Sequence, residues 1–250
     1  MESKLKTGAR VLYYTISTPD VTALACTRLL HKSLINKLGP IDFKIVVPQG
    51  SESEYPEDVK HLLLPSVKPN PTFPLIFDLK YTPTVYALDY DNFVYLDSDI
   101  LWFANDFDPS KNQYCEELGI RQLFYTTGWS FIPNQVRGAN AGFFSVDKKT
   151  GLDMIYRVNE DIGQREKVRM PDKPWLEQSM FNLYLYTVNY KGWQTVTDKV
   201  VNSTRPDNAF EDDKIYHFQG WTGGMDSKIK RMEGFIANNS SYEAIRALKL

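Results

Sequence analysis

Two cysteines in 250 residues, Cys26 and Cys115, are too few for a disulfide framework, and their spacing suits no metal-ligand motif; the chain is read as carrying two reduced thiols. Long apolar runs are missing too. No window approaches the ~18 apolar residues of a membrane-spanning helix, and residues 1–6 lack the apolar core of an export signal. The expectation is a soluble, cytoplasmic protein with no membrane span. Neither sign of charge dominates: 29 Lys and Arg stand against 31 Asp and Glu, a formal charge of -2. That balance gives no electrostatic case for nucleic acid or an anionic membrane surface. There is no P-loop, no Gly-x-Gly-x-x-Gly, no Ser/His/Asp arrangement, no internal repeat and no linker that divides the chain. With 42% hydrophobic residues, the expectation is one mixed α/β domain over residues 1–250.

What is present begins with βαβ punctuation. Residues 11–16 are a β-rich run, and Ser17-Thr18-Pro19-Asp20 supplies turn and helix-start chemistry, with Ser or Thr expected as the cap. Cys26, Leu30, Leu34 and Leu38 recur every four residues, which predicts the buried face of a helix ending at Gly39-Pro40. Residues 43–47 then form a second strand, so the sheet is expected to be parallel. Residues 48–74 read as a surface excursion around Leu62-Leu63-Leu64. Residues 75–88 suit a helix that Pro83 must start or kink. A short helix or loop is expected over 107–119, a strand over 122–126, and a turn at 138–142 leading into a strand. Residues 148–166 predict an amphipathic helix with Leu152, Ile155 and Val158 on one side. Further helices are expected from Trp175 onward and over 240–250, with an aromatic, turn-rich stretch between them.

The organising stretch is Phe93-Val94-Tyr95-Leu96-Asp97-Ser98-Asp99-Ile100-Leu101-Trp102. Its apolar residues predict a strand buried on both faces. Two carboxylates at its end are costly to bury unless paired or holding a cation, and residues two apart on a strand point the same way. In an open α/β sheet the carboxyl ends of the strands are where ligands bind. Asp89-Tyr90-Asp91 and Asp106-Phe107-Asp108 share the spacing but sit among turn residues, where Asp serves the backbone. His217 follows a strand-like Lys214-Ile215-Tyr216 and is either a satisfied polar group or a ligand that would favour Mn²⁺. Asn140-Ala141-Gly142 is either an ordinary turn or a hydroxyl-binding loop with close backbone approach. Glu177-Gln178 pairs a carboxylate with an amide, and Lys80 offers a point charge to a phosphate.

Taken in order, these pieces resemble glycosyltransferase family 8, the glycogenin-like and galactosyltransferase-like enzymes of the GT-A fold. The resemblance rests on Tyr95-Leu96-Asp97-Ser98-Asp99, Asn140-Ala141-Gly142-Phe143-Phe144, Glu177-Gln178 with Asn182, His217-Phe218-Gln219-Gly220, and Lys80 upstream. The chain is also similar to the small transferases of chlorella viruses that build capsid glycans. The resemblance implies a Rossmann-like, mixed but mostly parallel sheet flanked by helices, and a metal-dependent retaining glycosyltransferase. Its donor would be a UDP-sugar and its acceptor a glycan or protein. It implies Mn²⁺ (or Mg²⁺) on Asp97, Asp99 and His217. Tyr14, Thr15, Ile16 and Ser17 would hold the nucleoside. Lys80, Ser98, Ala141, Gly142 and Gly220 would line the donor, and Asn140, Glu177 and Gln178 would meet the reacting sugar. The family's late lysine is replaced by Gly223, so either Lys228 or Lys230 reaches the diphosphate or the clamp is missing. Two other readings share the Asp-x-Asp strand. One is a haloacid-dehalogenase-type, Mg²⁺-dependent phosphatase, with Glu211-Asp212-Asp213 as its late acidic group. The other is a non-catalytic sugar-binding module.

Overall fold

The computed structural model describes residues 9–67, 75–105, 107–118, 138–165, 178, 181–182, 184–185, 188, 191–196, 200–202, 211, 213–218 and 224–237. The expected strand over 122–126, the helix over 240–250, Glu177 and Gly220 lie outside them.

Strand β1 (Val11–Ile16) leads into helix α1 (Val21–Leu38) and strand β2 (Asp42–Val47). The helix cap is Asp20 rather than Ser17 or Thr18: its carboxylate accepts from Ala23 N at 2.9 Å. Pro19 therefore lies just ahead of the cap. At the far end Gly39 takes φ 77°, a left-handed conformation that glycine adopts without Cβ strain. Two 3₁₀ turns and a short strand β3 (Leu63–Pro65) fill the excursion after β2. Pro83 divides the next helix, with α2 (Leu75–Tyr81) ending before it and α3 (Pro83–Tyr86) beginning on it. Strand β4 (Asn92–Leu96) ends at the Asp-Ser-Asp, and β5 (Ile100–Trp102) starts straight after it.

Strand β6 (Gln113–Leu118) stands where a helix or loop was expected. Strand β7 (Gly138–Asp147) takes in Asn140-Ala141-Gly142 as extended backbone rather than a turn. Helix α4 (Lys148–Arg165) buries Gly151, Met154 and Ile155, while Leu152 faces solvent, so the buried face is rotated from the expected one. Strands β8 (Trp193–Thr195), β9 (Val200–Asn202) and β10 (Ile215–His217) precede helix α5 (Gly224–Ala237), which occupies part of the stretch expected to be turn-rich.

Among the described residues seven strands form the main sheet in the order β3-β2-β1-β4-β7-β6-β8, and β5-β10-β9 form a second, small sheet. β7 alone runs against its neighbours in the main sheet. This is the mixed, mostly parallel, helix-flanked sheet of the GT-A fold. Alternation along each strand divides the core in two. Leu12, Tyr14, Phe93 and Tyr95 pack toward α2 and α4 residues such as Leu79 and Met154. Tyr13, Val94 and Leu96 pack toward Leu24, Leu30 and Leu34 of α1. A third cluster joins Cys26, Leu101 and Tyr216 to Met232, Phe235 and Ile236, and so fixes α5 against β5, β10 and α1. Cys26 and Cys115 are buried free thiols. Among the described residues no helix is long and apolar enough to cross a membrane.

One buried base in this scaffold has a measurable consequence. His31 of α1 stacks on Phe43, with ring centroids 4.3 Å apart, and burial together with nearby His61 lowers its pKa to about 4. Folding therefore releases a proton that the unfolded chain binds near pH ~6.5. Stability is complete above that value and falls as acidity rises toward pH 4, by about 2–3 kcal/mol at pH ~4.5. Urea midpoints measured between those limits should drop more steeply for the wild type than for His31→Phe. Parallel profiles would show that His31 carries no such burden.

Candidate metal centre

The site forms where two sheets part. β4 runs parallel to β1, pairing Tyr14 with Tyr95, so the segment after β1 and Asp97 share one edge. The convergence of the aspartates comes from a turn rather than from strand alternation. Leu96 ends β4, Ile100 N donates to Asp97 O at 3.2 Å, and the chain switches to the second sheet. Both flanks are pinned. Asp97 N donates to Gly142 O at 2.7 Å, and Phe218 N donates to Asp99 O at 2.9 Å. The second bond sets β10 beside β5, with His217 opposite Ile100, and brings the imidazole onto the turn.

His217 Nε2 lies 3.4 Å from Asp99 Oδ1 and 3.7 Å from Asp97 Oδ2. Ligand atoms of the three residues all fall within 4.8 Å of one another. Each aspartate gives its second oxygen away. Asp97 Oδ1 accepts from Tyr95 Oη at 2.5 Å and lies 3.6 Å from Lys80 Nζ. Asp99 Oδ2 lies 2.5 Å from Lys228 Nζ. One oxygen of each carboxylate and one ring nitrogen thus remain turned to a common point. Two carboxylate oxygens and an imidazole suit Mn²⁺ or a similar divalent transition ion better than an all-oxygen set would. The donor set fits the expected metal.

Burial works against ionising Asp97, but the Lys80 ammonium and His217 outweigh it and hold the carboxyl below the usual range. For Asp99 burial is likewise outweighed, chiefly by His217, with Lys228 adding to it. Burial also works against a charged His217, yet Glu116 and Asp99 raise its pKa well above 6.5. An ion at Nε2 must therefore displace a proton.

Glu116, on β6, escaped sequence reasoning. Its side chain is fully buried, with Oε2 2.9 Å from His217 Nδ1 and Oε1 accepting from Asn140 Nδ2 at 3.3 Å. Gln-Tyr-Cys-Glu-Glu-Leu carries adjacent acids that read as surface. The available signal was only the apolar pair Tyr114-Cys115 directly ahead of the acid.

The remaining expected residues fall around this core. Tyr14 is enclosed in β1, and its hydroxyl donates to Lys80 O at 2.6 Å, so it anchors the end of α2. The Lys80 ammonium also lies over the Tyr95 ring, 4.7 Å from its centroid. Thr15 is buried, Ile16 half-buried, and Ser17 O accepts from Tyr55 Oη at 2.5 Å. Ser98 is half-buried on the turn. The Asn140 amide turns inward: besides the Glu116 contact, its Oδ1 accepts from Gly142 N at 2.8 Å. Gln178 Oε1 accepts from Ala141 N at 3.2 Å, and Asn182 clasps Ala139 through both N–H and carbonyl. Of the decoy aspartates, Asp91 and Asp108 serve the backbone as expected, Asp91 capping Arg10 N and Asp108 capping Ser110 N, while Asp106 lies outside the described residues.

No family profile matches the chain, and no curated protein matches it in sequence. Solved structures do. The galactosyltransferase LgtC, determined with donor and acceptor sugar analogs, superposes with a TM-score of 0.52 at 14% identity, over 94% of this chain and 99% of that one. The glycosyltransferase GlyE of Streptococcus pneumoniae TIGR4 matches with a TM-score of 0.50 at 14% identity and, in its apo form, 0.51 at 15%. This chain spans 62% of the length of GlyE. The fold is that of these glycosyltransferases.

Proposed function

We propose that the chain is a metal-dependent, retaining glycosyltransferase that moves a sugar from a UDP-sugar to a glycan or protein acceptor, with residues 1–250 acting as one domain. The observation that carries this reading is the convergence of Asp97, Asp99 and His217 at the mouth of a glycosyltransferase fold. A bound divalent ion supplies charge neutralisation for the diphosphate that leaves as the glycosidic bond breaks.

The surrounding residues complete a charge balance. Three carboxylates, Asp97, Asp99 and Glu116, face the Lys80 and Lys228 ammoniums and an imidazolium, a formally neutral set. Exchanging the imidazolium proton for a divalent cation leaves one net positive charge, which suits an anionic donor. Lys228 reaches Asp99 from α5 and is the lysine that would meet the diphosphate in place of the family's late lysine. Lys80 performs the same service from α2. Thr15, Ile16 and Ser17 would meet the nucleoside and Ser98 the donor, as would Gly220, which lies outside the described residues. Gln178 would meet the sugar, as would Glu177, which lies outside the described residues, while Asn140, whose amide is engaged by Glu116 and Gly142, would act by shaping β7.

The phosphatase reading needs a free Asp97 as nucleophile, whereas one Asp97 oxygen is held by Tyr95 and the other faces His217. Of its late acidic group, Asp213 Oδ1 caps Asn105 N at 2.6 Å and Glu211 pairs with Lys214, while Asp212 lies outside the described residues. UDP at about 100 times its dissociation constant should stabilise the protein by ~2.7 kcal/mol, and only when Mn²⁺ is present. UDP release should follow with one member of a panel of UDP-glucose, -galactose, -xylose and -rhamnose. Phosphate release from a generic phosphomonoester with no UDP effect would overturn the reading, and binding of free sugar without metal would favour the sugar-binding module.

A further inference from the structure

We infer that Glu116 is a positioning residue that grips His217 through Nδ1–H and thereby aims Nε2 at the point shared by Asp97 and Asp99. The inference rests on the metal-dependent reading above.

An imidazole has two nitrogens and can swing about its Cβ–Cγ bond, so a histidine ligand needs something to choose the nitrogen and fix the ring plane. In this site the selection is made on the far side of the ring. Glu116 Oε2 stands 2.9 Å from Nδ1, while Nε2 faces the aspartates at 3.4 and 3.7 Å. A carboxylate only accepts, so Nδ1 must carry the proton. The same bond places negative charge behind the ring and makes Nε2 a better donor to a cation.

Glu116 is itself immobilised. It is completely buried, where a carboxylate survives only with partners. Its second oxygen takes Asn140 Nδ2, and Asn140 Oδ1 takes Gly142 N. A chain of hydrogen bonds therefore runs from the β7 backbone through Asn140 and Glu116 to His217. An irregularity in the sheet makes room for it. The β6–β7 register jumps from Cys115 opposite Phe144 to Glu116 opposite Asn140, passing over Ala141, Gly142 and Phe143. Such a bulge re-aims side chains next to it. In the passed-over stretch Phe143 pairs with Leu96 and Gly142 O takes Asp97 N, so one distortion serves both the aspartate turn and the carboxylate behind the histidine.

Two readouts test this on the full chain: the His217 Nδ1–H proton in ¹⁵N-histidine-labelled protein, assigned by its loss in His217→Asn, and the Mn²⁺ dissociation constant from electron paramagnetic resonance of the free ion. Wild-type protein should show an Nδ1–H protected from solvent exchange even without metal. Glu116→Gln, whose amide oxygen can still accept from Nδ1 although its NH₂ group gives up the bond from Asn140, should keep that proton and bind Mn²⁺ within about three-fold of wild type, whereas Glu116→Leu should lose it and bind at least ~10-fold more weakly. If the leucine variant does not fold, Glu116→Asp replaces it. That variant keeps the charge but withdraws it by one methylene, and is expected to lose both protection and affinity. Absence of a protected Nδ1–H in the wild type overturns the inference, as does Mn²⁺ affinity within two-fold of wild type in the leucine or aspartate variant. Wild-type protein that binds no Mn²⁺ at all sinks the metal-dependent reading and this inference with it. An intact Mn²⁺ site indifferent to Glu116 overturns the inference alone.

Discussion

Asp99→Asn is expected to reduce sugar transfer by about 10²- to 10³-fold, roughly 3–4 kcal/mol of transition-state stabilisation, while the chain stays folded. The asparagine keeps the volume of the buried side chain and can still accept from Lys228, which is partly exposed and can otherwise extend into water. What disappears is one of the two carboxylates that would hold the proposed ion. Asp99 Oδ1 faces His217 Nε2 at 3.4 Å, and an amide oxygen there is a much weaker ligand for a divalent cation. His217 also loses one of the charges that raise its pKa. The remaining charge, from Glu116, sits behind the ring and cannot replace a ligand. UDP release with saturating UDP-sugar, together with an Mn²⁺ titration and a urea midpoint, separates loss of function from loss of fold. Asp91→Asn supplies the control, because Asp91 belongs to a motif of the same spacing but caps Arg10 N. Transfer by Asp99→Asn within three-fold of wild type, or an equal loss in Asp91→Asn, would rule out the assignment.

The difference between those two aspartates marks how far sequence carries. Strands β1 and β2, helix α1 with Leu30 and Leu34 on its buried side, and the end of β4 were legible because burial imposes periodicity. Asp97, Asp99 and His217 were legible as candidates because charged or basic groups seldom follow strand-like apolar runs without a partner. Local pattern failed where a residue's role is set by what faces it. Asn140 and Gly142 are turn-formers by composition, yet both lie in extended backbone, Asn140 paired with Glu116 of β6 and Gly142 O bonded to Asp97 N just past the end of β4. Gln113–Leu118 looks like surface because its inward acid is answered by a histidine a hundred and one residues later. Helix α5 hides behind glycines, and its reason for docking is a cluster of Met232, Phe235 and Ile236 on Cys26 and Tyr216, which no local window contains. The capping misreading is smaller but of the same kind. Ser17, Thr18 and Asp20 all have capping chemistry, and Asp20 prevails because its carboxylate reaches Ala23 N while the Ser17 hydroxyl donates to Thr18 O and the Thr18 hydroxyl to Asp20 itself.

Gly142→Ala should be the most damaging change for its size, and for a steric rather than a conformational reason. A Cβ built there would overlap the His217 ring and stand 2.7 Å from Asp97 Oδ2 and 3.1 Å from Asn140 Oδ1. The backbone cannot retreat, since Gly142 O holds Asp97 N and Gly142 N is bonded to Asn140. The methyl must therefore push apart the groups that would hold the ion. Overpacking of this kind costs about 1–3 kcal/mol of stability, and displacement of His217 should weaken Mn²⁺ binding by ~10-fold or more, as loss of ligand orientation does elsewhere. Gly151→Ala separates the two effects. Its Cβ would meet the Thr84 side chain, with Thr84 Cβ at 2.7 Å, where α4 packs on α3 and no site residue is touched. It should lower the urea midpoint by a comparable amount and leave Mn²⁺ affinity unchanged. If Gly142→Ala binds Mn²⁺ as tightly as Gly151→Ala does, the close approach of β7 to His217 is not what shapes the centre. If it is destabilised to the same degree but binds far more weakly, the glycine is there to make space for the imidazole and the carboxylate to converge.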